Sequence, residues 1–463
     1  MRPWPASSRD LECTSSQQIQ STNCIVKMDS RRPSTDAKVY LGHLLVYAFV
    51  LIHPFHYLVQ APLPYYREAF AIAFAVLYVH QLASSTRPSM HLLPSLAMAA
   101  YIAALGLVWI AVDSRELYNV EADSVIDMDA LSRPEIYVLR NALLYLPMCA
   151  LASILRWEEK TIRLLCCLAS TLSVASVLGY LLVKGVIFSP SEIVGVIRYG
   201  ASGLSYNSYV PYLTFAYICG LYWFTTERSA ALRVLSGAIC LLLALYSSAS
   251  GSRQCTIYIV LTTAIWTFIG PKNSRTRPAI VLSLFALGFL SVLTLVDPNT
   301  LANERFASRF LSIESFFDTS RSSKAVEGLA MLQPGEFLHG AGLGSVLFAG
   351  PHNDYVRWIQ RAGIFSMIIG FFPYFWALFK MLQQCTGTQR TPEALFLLTA
   401  SLFIPYHSCF GYPRDDAFQA PYALLALGIC ASVSSRVASG MISKVGPFNR
   451  FGHPPRCATQ PIL

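Results

Sequence analysis

The chain has 463 residues, of which 54% are hydrophobic and 13% are charged, and its formal net charge is +9. Soluble domains carry about 25% charged residues, so this composition excludes an ordinary soluble protein. The alternation of apolar and polar residues that is typical of a membrane β-barrel is also absent.

Apolar stretches of about 17 to 25 residues, the length that crosses the hydrocarbon core as a helix, recur along the chain. Backbone groups in lipid must be satisfied within their own segment, so these stretches predict helices. We therefore predict an all-α fold, a polytopic membrane protein with about twelve transmembrane helices. The predicted spans cover residues 39–60, 67–85, 91–112, 136–155, 162–184, 206–226, 231–249, 254–270, 278–296, 356–382, 394–411 and 417–434.

The spans divide the chain into parts, and residues 1–38 form a polar N-terminal tail in which we expect no cleavable signal peptide. Lys and Arg collect on the cytoplasmic side of membrane proteins. The termini and the short basic loops fall on one side, so we predict that both termini are cytoplasmic and that the long loop faces outward. The remaining parts are helices 1–9 at 39–296, the long loop at 297–354, helices 10–12 at 355–434 and the C-terminal tail at 435–463.

The positive net charge is explained by this topology, and no motif indicates nucleic-acid binding. The twelve cysteines lie mostly in spans or at cytoplasmic ends, and no Cys-x-x-Cys pair occurs. We therefore expect no disulfide framework, no metal site and no cofactor.

The long outer loop carries helical patterns of its own. Phe306, Phe310, Ile313 and Phe317 recur at helical spacing, and a second helical stretch runs from about 322 to 332. Such amphipathic helices lie on a membrane surface or cap a cavity. A long structured loop of this kind is usually functional.

Several arginines lie near the outer face, where positive charge is normally depleted. Their guanidinium groups bind phosphate oxygens in bidentate fashion, which indicates an anionic head group, above all a pyrophosphate. The alternative is that each arginine pairs with an outer acid such as Glu192, Glu304 or Asp318. The arginines are Arg198, Arg253, Arg305, Arg309, Arg321 and Arg357.

His352 is a candidate general base, since Asn353 and Asp354 suit the N-cap of the next helix and would set its ring beside unpaired N–H groups. The alternative is a structural histidine that is hydrogen-bonded at a helix start. The preceding glycines, Gly340, Gly342 and Gly344, predict a turn that allows close approach of the backbone. Asp127-Met-Asp129 has a metal-binding form, but it lies in an acidic outer loop, and we interpret it as a solvated face.

These residues together resemble the O-antigen ligase and polysaccharide polymerase superfamily. The resemblance covers roughly residues 190–370 and is most specific around His352 and Asn353. The matching segments are Arg198-x-Gly200 with Asn207, Ser252-Arg253, Asp318-Thr-Ser320-Arg321, Gly340-Ala-Gly342-Leu-Gly344, Pro351-His352-Asn353-Asp354-Tyr355-Val-Arg357 and Gly363-Ile364. The sequence from Ser322 to Ala325 departs from the aromatic-containing helix start of many relatives.

The resemblance implies metal-independent glycosyl transfer in the periplasmic loop at the outer face of the bacterial inner membrane. The donor would be a glycan on undecaprenyl pyrophosphate, held by Arg198, Arg253 and Arg321, and its lipid tail would lie in the bilayer between spans. His352 would activate the hydroxyl of the glycan acceptor, with Asn353, Asp354 and the glycines in supporting roles. Chain-length regulators and export proteins are the accessory partners expected for such polymer assembly.

Three functions remain open on the sequence. A polymerase of lipid-linked repeat units and a ligase that transfers polymer to lipid A core share donor, fold and motif. We favour the polymerase because nothing in the chain points to a core oligosaccharide acceptor. A polysaccharide transporter or flippase would predict charged or broken helices at the bilayer midplane and an internal repeat.

Overall fold

The computed structural model describes residues 33–55, 63, 65–84, 92–117, 133–183, 209–250, 252–271, 275–295, 320–346, 353–386, 390–411 and 419–438. This part of the chain is helical and contains no strand, so the predicted all-α class is confirmed. The helices are α1 (Pro33–Ile52), α2 (Tyr66–Ser84), α3 (Leu92–Ala111), α4 (Pro134–Leu143), α5 (Leu146–Ile154), α6 (Glu159–Val183), α7 (Tyr209–Thr226), α8 (Ala230–Ala249), α9 (Arg253–Ile269), α10 (Thr276–Leu295), α11 (Ser320–Ala330), α12 (Glu336–His339), α13 (Asp354–Thr386), α14 (Pro392–His407) and α15 (Gln419–Ala438).

Each predicted span coincides with a long helix, or in one case with the pair α4 and α5, which meet at a turn before Pro147. Among the described residues, four segments are long and apolar enough to cross a membrane: Pro134–Ile154, Glu159–Val183, Ala230–Ser248 and Asp354–Thr386. That the other helices also cross the membrane stays a prediction.

The outer surface of the helices is apolar, as α13 illustrates. Its side chains at Phe365, Phe372 and Phe379 are 62%, 52% and 56% exposed and recur at helical spacing. Soluble proteins seldom expose contiguous apolar patches larger than a few hundred Å², whereas hydrocarbon tails accept such a face. The exposed stripe is therefore consistent with a membrane protein.

The core is centred on α7, whose side chains are almost all buried between α6, α8 and α14. Other helices of the core also pack closely. A Cβ at Gly428 of α15 would lie 2.4 Å from the Cys149 carbonyl oxygen, so this glycine brings α15 against α5. Several buried hydroxyls donate to backbone carbonyls, as where Tyr258 donates to Thr399 O at 2.7 Å.

Basic side chains gather at one end of the bundle and bind carbonyls at or near helix ends. Arg277 donates to Thr225 O at 2.5 Å, Arg390 to Ile269 O at 3.4 Å, and Arg436 to Trp157 O at 2.5 Å. Cations near helix C-termini are favoured by the helix dipole. The placement of these basic segments on the cytoplasmic side of a membrane stays a prediction.

Candidate functional site

A break in α13 divides the helix near its start. Gly363 has φ 77° and ψ 172°, so residues 354–362 form a separate helical segment before the long apolar part. We call residues 354–362 the buried segment, because Asp354, Arg357, Gln360 and Arg361 are 0%, 6%, 0% and 1% exposed. The predicted span 356–382 was continuous and did not include this break.

The start of the buried segment is held at two points. The Asn353 side-chain oxygen accepts the Val356 N–H at 3.1 Å, which is the contact of a helix N-cap. The Asp354 N–H donates to the Ser408 carbonyl at 2.7 Å, just beyond the end of α14. The expected N-cap is therefore present at Asn353, directly after His352 in the chain.

The end of the buried segment contacts residues 340–346, which we call the glycine turn. Gly340 and Gly342 have φ of 86° and 102°. A Cβ at Gly340 would lie 2.3 Å from the Arg361 carbonyl oxygen, and one at Gly342 would lie 2.4 Å from Ser114 Cα. The predicted close approach of the backbone at these glycines is confirmed.

Hydrogen bonds fasten the glycine turn to the buried segment. The Ala341 N–H donates to Gln360 O at 2.7 Å. The Arg361 guanidinium donates twice to Val346 O, from Nε at 2.9 Å and from Nη2 at 2.6 Å. Since Arg361 is 1% exposed, these bonds form away from water and hold the turn firmly.

The chain that follows α3 covers the other side of the glycine turn. The Arg115 N–H donates to Ala341 O at 2.7 Å, and the Leu117 N–H donates to Ser345 O at 3.2 Å. The Gly344 N–H donates to Ser114 Oγ at 3.0 Å. The sequence indicated an acidic outer loop here and gave no sign of this contact.

Arg115 also forms a bidentate ion pair with Glu336 of α12. Arg115 Nε donates to Glu336 Oε1 at 2.7 Å, and Nη2 donates to Oε2 at 2.5 Å and to Met331 O at 3.0 Å. These bonds hold the pKa of Glu336 below its ordinary value. The stabilisation by this carboxylate is therefore present at neutral pH and is lost only as acid protonates it.

Arg253 is the first residue of α9, and Ser252 before it is fully buried. The Tyr406 hydroxyl in the last turn of α14 donates to Gln254 O at 2.9 Å. The same turn is followed by Ser408, which accepts from Asp354. The end of α14 thus brings the helix starts at Arg253 and Asp354 to one place.

Sequence reasoning missed a buried histidine at this place. His407 is 1% exposed, its Nε2 lies 3.3 Å from Thr214 Oγ1, and its ring centroid lies 4.9 Å from that of Tyr258. Its position inside an apolar span was the available signal, since an intramembrane ionisable residue is a functional candidate by default.

The other predicted site residues have different outcomes. Arg357 lies in the buried segment and is 6% exposed, and its position near the outer face of the membrane stays a prediction. Arg321 lies in the first turn of α11, which confirms the second helical stretch of the loop, but its side chain is outside the described part. Also outside the described residues are His352, Arg198, Arg305, Arg309, the helix predicted around 306–318, and the acidic pair Asp127 and Asp129.

Within the described residues, no group of three or more His, Cys, Asp or Glu side chains is arranged to hold a metal ion. The chemistry available at this end of the bundle is that of guanidinium groups, an imidazole, helix N-termini, amide and hydroxyl groups and carboxylates. No protein-family model matches the chain, and no curated protein matches it in sequence.

Proposed function

We propose that the protein polymerises lipid-linked oligosaccharide repeat units, as a metal-independent glycosyltransferase at the periplasmic face of a bacterial inner membrane. The product would be an exopolysaccharide or O-antigen. One observation carries the proposal: the end of α14 joins the capped helix start at Asn353, which directly follows His352, to the helix start at Arg253.

The proposed step is a displacement at the anomeric carbon of the donor. The acceptor hydroxyl oxygen forms the new glycosidic bond as the bond from that carbon to the pyrophosphate oxygen breaks. The hydroxyl proton passes to His352, and the electron pair leaves on the lipid pyrophosphate. Arg253 stands at a helix N-terminus, where backbone N–H groups and the helix dipole favour phosphate. Together with Arg198 and Arg321, it would stabilise the charge that develops on the leaving group.

The polymerase proposal is tested by deleting the gene and restoring it on a plasmid, followed by sizing of the surface polysaccharide. We expect the deletion strain to retain single repeat units and to lose long chains, and the plasmid to restore them. Accumulation of lipid-linked polymer that never reaches lipid A would show a ligase. Accumulation of lipid-linked units on the cytoplasmic leaflet would show a transporter.

Arg253 offers a test of phosphate recognition. We expect Arg253→Lys to lose nearly as much kcat/KM as Arg253→Ala, because an ammonium cannot reproduce a bidentate fork. Loss of hydrogen bonds to a charged group costs about 1.5 to 3 kcal/mol, which corresponds to roughly 10- to 100-fold in kcat/KM. The control is Arg228→Lys, an exposed arginine at the opposite, basic end of the bundle. Full activity of Arg253→Lys would contradict the bidentate role.

Cys409 tests on which side of the membrane the site lies. It is the exposed cysteine among those described, and it follows Ser408, the partner of Asp354. In intact spheroplasts we expect a membrane-impermeant maleimide to label wild-type protein and to leave Cys409→Ser unlabelled. If Cys409 reacts only after the membrane is permeabilised, the site faces the cytosol and the proposed donor cannot reach it.

A further inference from the structure

We infer that Arg115 and Glu336 are positioning residues that fasten the glycine turn ahead of His352. This inference rests on the proposed function, in which His352 is the base. The pair joins two parts of the chain that are separated by 221 positions. In this inference their effect on the reaction passes through the backbone of the turn.

The ion pair acts at the entrance to the glycine turn. Glu336 begins α12, and its carboxylate also accepts the Gln333 N–H at 2.8 Å, which fixes the chain just before this short helix. The Gly340 N–H donates to Glu336 O at 2.7 Å. Arg115 therefore holds the whole α12 unit, and its own N–H holds Ala341 of the turn.

The glycine turn also fixes one end of the connection that contains His352. Val346 is held by Arg361, and Asn353 is held by the N-cap and by Ser408. Six residues, 347–352, join these two points. A shift of the turn would therefore displace the start of the connection to the proposed base, and a misplacement of about 1 Å can reduce a rate by up to about a hundredfold.

Arg115 and Arg361 both form hydrogen bonds with the glycine turn, but their side chains differ in exposure. Arg361 is buried, so its removal would disturb the core. The side chains of Arg115 and Glu336 are 41% and 12% exposed, so substitutions there leave the core intact. A matched control exists in the pair of Arg140 with Glu68, whose side chains are 40% and 24% exposed and which ties α4 to α2.

The experiment uses full-length protein in lipid nanodiscs and introduces a thiol at Ser345, which is 2% exposed in the turn. Labelling of Ser345→Cys by a maleimide, corrected for the parent protein, reports opening of the turn. The variants are Arg115→Gln, Glu336→Gln, the charge exchange Arg115→Glu with Glu336→Arg, and the control Arg140→Gln. The kcat and the KM for the lipid-linked donor are measured for each protein without the added thiol.

For both single variants we expect the rate of labelling at residue 345 to rise about fivefold. A change of this size is expected when a well-aligned, partly exposed ion pair is lost. The kcat should fall about tenfold, while the KM for the donor stays within twofold because Arg253 is unchanged. The charge exchange should restore both quantities, and Arg140→Gln should alter neither.

Unchanged labelling in the single variants would overturn the inference and leave the proposed function standing. Faster labelling with unchanged kcat would show that the pair holds the turn without positioning a base, which also overturns it. If the wild-type protein transfers no sugar while labelling still responds, the proposed function itself fails, and the role in catalysis fails with it.

Discussion

His352→Ala should reduce glycosyl transfer by at least about a hundredfold, since a positioned general base typically contributes 10²- to 10⁴-fold. In the proposed step the acceptor hydroxyl cannot attack efficiently unless its proton is removed. In the proposal the donor is held by arginines rather than by the imidazole, so the KM for the donor should change little. The measurement is the turnover of lipid-linked substrate by purified protein in nanodiscs, with the amount of folded protein checked by size-exclusion chromatography.

The matched control is His80→Ala, which removes an exposed histidine from α2. Its turnover should equal that of the wild-type protein. A His352→Ala protein that keeps normal turnover would remove the base from the proposal. The helix start at Asn353 would then have to be explained as a structural cap that follows a structural histidine.

Gly363→Ala should destabilise the protein by about 3 kcal/mol or more, because two separate costs coincide at this position. The residue has φ 77°, a conformation that L-amino acids rarely adopt. A Cβ there would also lie 1.9 Å from the Leu338 carbonyl oxygen, within the contact between α12 and α13. The buried segment and the glycine turn could not both keep their places.

Thermal unfolding measures this effect, and it is monitored by the reaction of buried cysteines with a fluorogenic maleimide as they become exposed. Gly106→Ala is the matched control, since it lies within α3 and no heavy atom lies within 4 Å of the position of its added Cβ. In a helix this exchange is neutral or stabilises by about 0.5 to 1 kcal/mol. Equal melting temperatures for the two variants would contradict the tight contact at Gly363.

Much of the architecture follows from local sequence patterns. The apolar stretches predicted the positions of the long helices, because the length and the period of a helix are determined by residues that are close in the sequence. The Asn353 cap was predictable for the same reason, since the side chain contacts an N–H three residues away. The close approach at Gly340 and Gly342 followed from the freedom of glycine in tight turns.

The missed features depend on contacts between distant parts of the chain. Arg115 and Glu336 each look like an ordinary loop charge until the fold brings them together. The break at Gly363 was hidden because a single glycine is tolerated in a helix. The run of Asp354, Arg357, Gln360 and Arg361 before it was the available signal, since so many polar side chains seldom begin a lipid-facing helix. The roles assigned to His352, Arg198 and Arg321 stay predictions.

The connection between the glycine turn and the buried segment is fixed at both ends, which limits how its length can change in evolution. Residues 347–352 bridge a gap whose width is set by Val346 on one side and Asn353 on the other. One inserted residue would add up to about 3.5 Å of contour, more than the length of a hydrogen bond. Divergence in this bridge should therefore preserve the number of its residues and His352 at its end, while the identity of residues 347–350 changes more freely.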